Sequence, residues 1–124
     1  MYSARLLDHF EHPRLAGELP GANTRVRIEN PACGDVLELA AKIEDGVVEA
    51  IRFRAKGCVP AMACASAVAA LVERQPVARL RELRKEDVLR EVEAVPAASQ
   101  HAVHLALDAV GQLWKQVSAA ARSC

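Results

Sequence analysis

The polar and apolar positions of this 124-residue chain divide it into a β half and a helical half. Residues 2–10 place Leu6, Leu7 and Phe10 on one side of a short helix. The stretch "EHPRLAGELPGAN" is dense in Pro and Gly and reads as a loop. Three runs with a period of two follow. "TRVRIEN" sets Val26 and Ile28 against Arg25 and Arg27, and "VLELAAKI" sets Leu37, Leu39, Ala41 and Ile43 against Glu38 and Lys42. "VVEAIRFR" sets Ile51 and Phe53 against Arg52 and Arg54. Asp45-Gly46, between the second and third runs, predicts a tight hairpin, because such turns need positive φ.

The period changes after "AKGCV". Pro60 suits a first helical position, and residues 61–72 are small and apolar on every side, so this helix is expected to be buried. The charged segment 77–93 predicts one or two short surface helices. Pro96 closes it, Ser99 is a good N-cap, and a long helix is expected to run to about residue 120. Its core stripe is read as Val103, Ala106, Leu107, Val110, Trp114 and Val117. The expected fold is α+β, a small three-stranded antiparallel sheet covered by helices on one side. It is read as a single domain over residues 1–124.

Composition narrows the function. Hydrophobic content of 52% with 26% charged residues is the profile of a folded, soluble chain. Sixteen basic residues balance sixteen acidic ones, and one Trp, one Tyr and two Phe offer no stacking platform for bases, so nucleic acid is not an expected partner. The N-terminus is too charged for a signal peptide and no apolar run approaches membrane-spanning length. A cytoplasmic protein without a membrane partner is therefore expected. In that reducing compartment Cys33, Cys58, Cys64 and Cys124 read as ligands, sulfur carriers or buried thiols rather than disulfides.

The reactive side chains lie in three connecting segments. Cys33 and Asp35 fall in the turn between the first two strands, Cys58 between the third strand and the buried helix, and His101 at the start of the last helix. Thiolate and imidazole suit zinc or iron, and ligands on separate loops of a rigid sheet make a partly exposed metal site. A carboxylate holds cluster iron less firmly than sulfur does, which suits a cargo that must leave. Cys58 stands at a helix N-terminus, where partial positive charge favours thiolate. Taken singly, Cys33 and Cys58 read as buried thiols. His101 lies about 160° around the helix from Val103, away from the core stripe. His104 precedes Asp108 by one helical turn and is expected to pair with it at the surface. Cys64 reads as core, Cys124 as a mobile tail, and Arg52, Arg54 and Lys56 as a solvated strand face that could also meet an acidic partner.

Several segments together resemble the IscU/NifU-type iron–sulfur cluster scaffolds. They are "MYSARLLDHFEHPRLAG", "NPACGD", "EDGVVEAIRFRAKGC" and "VPAASQHAVHLALDAV", in that order across essentially the whole chain. The resemblance implies a scaffold or carrier, not an enzyme, that takes sulfur from a cysteine desulfurase, binds a 2Fe–2S cluster and passes it to acceptor proteins. Zinc would occupy the same pocket in the cluster-free form. By position it implies Cys33, Asp35, Cys58 and His101 as ligands. Two departures stand out. The cysteine that should follow the histidine is replaced by Ala102, and of the chaperone-recognition segment only Pro96 is kept. Cluster assembly of the ordinary kind and chaperone recruitment are both called into question by them. Two alternatives follow: a diverged zinc-binding paralogue acting as a binding partner, and a persulfide relay using Cys58 or Cys64. A zinc hydrolase is least favoured, since no general base stands apart from the ligands.

Overall fold

A computed structural model of the chain describes residues 2–31 and 34–122. Helix α1 (Ala4–Glu11) leads through a loop into strands β1 (Thr24–Asn30), β2 (Asp35–Glu44) and β3 (Val47–Lys56). Helices α2 (Val59–Val72), α3 (Arg79–Glu82) and α4 (Lys85–Val92) follow, and a 3₁₀ turn (Ala97–Ser99) runs into α5 (Gln100–Arg122). The α+β fold expected from the alternation is the one observed.

The strands form one antiparallel sheet in the order β1-β2-β3. Asp45 and Gly46 both have positive φ, 53° and 74°, as the hairpin reading requires. Inward positions Val26, Leu37, Leu39, Ile51 and Phe53 are buried, while Arg25, Arg27, Glu38 and Arg54 face solvent. The outer face is laced by exposed ion pairs, Arg27–Glu38 at 3.7 Å and Arg54–Glu18 at 3.4 Å. The free edge of β3 is partly covered, because the amide of Phe53 donates to the Leu15 carbonyl and that of Gly17 to the Phe53 carbonyl, both at 2.9 Å. The loop read from Pro and Gly thus also closes a sheet edge.

Helix α2 is the hub and packs against α1, α4, α5 and β3. Its run of alanines lets these neighbours approach closely, and ten of its residues are buried, including Cys64. The stripe of α5 is rotated from its expected position. Ala102, Val103, Leu105, Ala106, Ala109, Val110 and Leu113 are buried, whereas Leu107, Trp114 and Val117 are only partly covered. The partners explain this: α5 packs on α2, β1 and β2 at once, so a broader arc is covered than one stripe. Ser99 lies within the 3₁₀ turn rather than capping α5. No helix among the described residues is long and apolar enough to cross a membrane.

One buried polar group escaped the periodicity reading. His9, on α1, is 3% exposed. Its Nδ1 lies 2.8 Å from Ser66 Oγ on α2 and its Nε2 3.0 Å from Glu91 Oε1 on α4. The amide of Arg14 donates to the same Ser66 Oγ at 2.8 Å. The serine hydroxyl then donates to Nδ1 and Nε2–H donates to Glu91, which leaves no buried atom of the group unpaired. Ser3 caps α1 at Leu6 N and also donates to the Val92 carbonyl at 2.6 Å. Side-chain hydrogen bonds therefore tie α1 to α2 and α4. Ser66→Ala leaves the buried His9 Nδ1 and the part-buried Arg14 amide without this partner and is expected to lower unfolding free energy by about 1–3 kcal/mol. The check is urea denaturation, where the midpoint should fall with the slope unchanged.

Candidate metal centre

The register of the sheet assembles the site at one tip. Asn30 pairs with Asp35, which makes Asp35 the first residue of β2, and Val36 pairs with Lys56 at the end of β3. The chain therefore leaves β3 beside Asp35, and Gly57 and Cys58 follow at once. Cys58 is the N-cap of α2, with extended backbone at φ −71° and ψ 166°. The first turn of α5 brings His101 to the same point.

Asp35, Cys58 and His101 form a closed triangle. Cys58 Sγ lies 3.7 Å from Asp35 Oδ2 and 3.7 Å from His101 Nε2, and His101 Nε2 lies 3.4 Å from Asp35 Oδ2. Ligand–metal bonds of about 2.0–2.3 Å at tetrahedral angles require edges of about 3.6 Å between sulfur and either lighter atom, and about 3.4 Å between nitrogen and oxygen. The triangle thus has the dimensions of three corners of one metal's coordination shell. It is the one group of three or more metal-ligating side chains that converges among the described residues.

The same atoms also lie within reach of one another's hydrogen bonds. Asp35 is 3% exposed, and its nearest donors are the Cys58 thiol, His101 Nε2–H and, at 3.4 Å, the Cys58 amide. Burial pushes the Cys58 thiol above its ordinary value of 9.0, and the Asp35 carboxylate pushes the same way. The backbone amide of Ala61 opposes them, as a helix N-terminus should, but burial is the largest effect. The expectation that the helix start favours thiolate is thereby reversed. Desolvation and a facing negative charge outweigh a partial dipole.

Gly57 is the positioning residue that composition did not reveal. A Cβ there would fall inside the van der Waals radius of Asp35 Oδ1 and Cγ, so only glycine lets the carboxylate stand against the chain as it turns into α2. Cys33 and Cys124 lie outside the described residues. Cys64 is fully buried, and its thiol is pushed up to about 12 by burial. Ala102 is also buried, pointing into the core rather than toward the triangle. His104 and Asp108 are both exposed, and the expected pair between them is not formed. Their side chains stand one turn apart on α5 without meeting.

Comparison with known proteins agrees with the fold. Residues 1–119 match the family described as NifU-like N terminal domain. The iron–sulfur cluster assembly scaffold protein IscU of Aquifex aeolicus is 34% identical over 109 residues, covering 86% of this chain and 69% of that protein. The protein of the same name in Escherichia coli K12 is 34% identical over 113 residues, 88% of each. In structure, the chain resembles the N-terminal NifU-like protein of Brucella abortus, with TM-score 0.74 and 20% identity over 94% of this chain and 93% of the other. The SufU protein of Fervidobacterium islandicum AW-1 gives TM-score 0.76 and 12% identity over 91% and 96%. These last two are likenesses of fold.

Two outcomes test the site. Gly57→Ala displaces the Asp35 carboxylate and should weaken cobalt or zinc affinity by about 10–100-fold, the usual effect of disorienting a ligand; competition with a chromophoric chelator measures it. Metal binding must also release the Cys58 proton, so affinity should rise with pH by about one log unit per pH unit for each thiol deprotonated. Because the thiol titrates above 9.0 in the folded protein, the slope for Cys58 should persist through pH 9 rather than flatten below it. Calorimetry in buffers of different protonation enthalpy reads the proton release directly.

Proposed function

This chain belongs to the NifU-like N-terminal domain family, and from that premise we propose that it is a scaffold or carrier on which an iron–sulfur cluster is built and handed on. The observation that carries the reading is the convergence of Asp35, Cys58 and His101, three iron-ligating side chains from separate elements, at one tip of the sheet. Cys33 is proposed as the fourth ligand, from its place in the turn directly before Asp35. Iron and sulfide are cargo here, not a resident cofactor. Two thiolates, one carboxylate and one imidazole supply two ligands to each iron of a 2Fe–2S cluster, and the oxygen ligand makes the cluster easy to release.

The proposed sulfur source is a cysteine desulfurase, and the proposed recipients are iron–sulfur acceptor proteins; what supports this is the scaffold family to which the chain belongs. With Ala102 in the core, a sulfur-accepting thiol has to be Cys33 or Cys58. Cys64 is unsuited, since it is fully buried and its thiol is pushed up to about 12. Of Cys58 and Cys64, the two thiols of the persulfide-relay alternative, Cys58 is therefore the one kept. The proposed role is binding and transfer rather than turnover.

A second reading is favoured by one observation: the triangle is sized for a single ion. A mononuclear zinc site of two cysteines, one aspartate and one histidine would make this a zinc-holding binding partner. Anaerobic reconstitution with ferrous iron, cysteine and a desulfurase separates the two. A visible chromophore that is lost in Cys33→Ala and in Cys58→Ala is the result expected of a scaffold. A colourless protein whose stoichiometric zinc resists iron and sulfide would overturn it in favour of the zinc reading.

A further inference from the structure

Beside the triangle lies an open cavity of about 320 Å³, between the end of β1 and the first turns of α5. His101, His104 and Asp108 line it from the helix, and Asn30 and Pro31 face them from the strand end. At 100° per residue the three helical side chains fall within about 60° of one another around α5. Neighbouring members, three and four residues apart, have Cβ atoms about 5–6 Å from each other. His101 belongs to both places, since its Nε2 is a corner of the triangle.

The helical spacing of His104 and Asp108 is the one at which two side chains chelate a single ion from one helix face. Both are exposed, and neither makes a hydrogen bond or an ion pair with a described residue, so no existing bond has to break. Imidazole nitrogen and carboxylate oxygen suit the borderline divalent metals, iron, cobalt and zinc, and contain no sulfur. Such a pair, completed by water, binds weakly and reversibly. Weak capture next to a tighter site is what loading requires.

We propose that His104 and Asp108 form a second divalent-metal position in this cavity, from which an ion reaches the triangle through His101. The ion moves along one face of α5, from His104 and Asp108 to His104 and His101, and then to His101, Cys58 and Asp35. No redox change occurs; water leaves as protein ligands take over, and Cys58 releases its proton on the last step. Loading of cargo iron rests on the scaffold reading, but binding at the second position does not.

Cobalt(II) is the probe. The first equivalent should give the near-ultraviolet thiolate-to-cobalt band of the triangle. A second equivalent should bind with weak visible bands only and broaden the ring resonances of His104 in NMR spectra. In His104→Ala and in Asp108→Asn the affinity of the second equivalent should fall at least about tenfold, the loss caused by removing even an outer-shell partner. Stopped-flow growth of the thiolate band should slow several-fold in both variants at limiting cobalt, with its final amplitude unchanged. Only one equivalent bound by the wild-type protein, or a second one indifferent to both substitutions, would overturn the proposal. Absence of the thiolate band in the wild-type protein would overturn transfer to the triangle, while cobalt binding that depends on His104 and Asp108 would still support the second position.

Discussion

A carboxylate withdrawn from water beside a thiol and an imidazole is the constraint around which this protein is organised. Burying Asp35 is costly unless donors surround it, and the donors at hand are the groups a metal would bind. Protons and metal ions therefore compete for the same triangle. The fold sets the three side chains at near-coordination distances, so little reorganisation is required on binding, and burial raises the Cys58 thiol pKa in favour of the proton. A site that is preformed yet not strongly poised for the metal is suited to taking up cargo and giving it back.

The scaffold that holds this triangle uses small residues where rigidity is needed. The alanine-rich α2 is covered on several sides, and its N-cap is Cys58 itself, so the backbone of this candidate ligand is fixed by the packing of the whole helix. The sheet register places Asp35 opposite Asn30 and beside the chain leaving Lys56. Gly57 then removes the one side chain that would collide with the carboxylate. At the far side of α2, His9, Ser66 and Glu91 bind α1 to α2 and α4 through paired buried polar atoms, which specify one arrangement of the helices.

Ala102 stands next to His101 in the chain yet belongs to the core rather than to the site. Its methyl group is buried in the α5 packing, next to the ligand His101 in sequence but on a different side of the helix. The triangle forms without it. What remains at this end is a ligand set richer in nitrogen and oxygen than a thiolate-dominated one, continued along α5 by His104 and Asp108.

Much of the fold was legible in the chain itself. Alternation located the three strands, Asp45-Gly46 their hairpin, and an all-apolar alanine-rich run the buried helix, because each is set by local periodicity or local backbone freedom. The candidate ligands were legible as residue types, and His101 by its angle from Val103. Local pattern could not decide that Asp35, Cys58 and His101 meet within a single coordination shell, since register and helix docking bring together residues distant in the chain. Nor could it show that His9 is buried, that the α5 stripe is rotated, or that His104 and Asp108 stay apart. The sign of the Cys58 shift was misread for the same reason. A helix dipole is visible in sequence, whereas desolvation and a facing carboxylate exist only once the chain has folded around them.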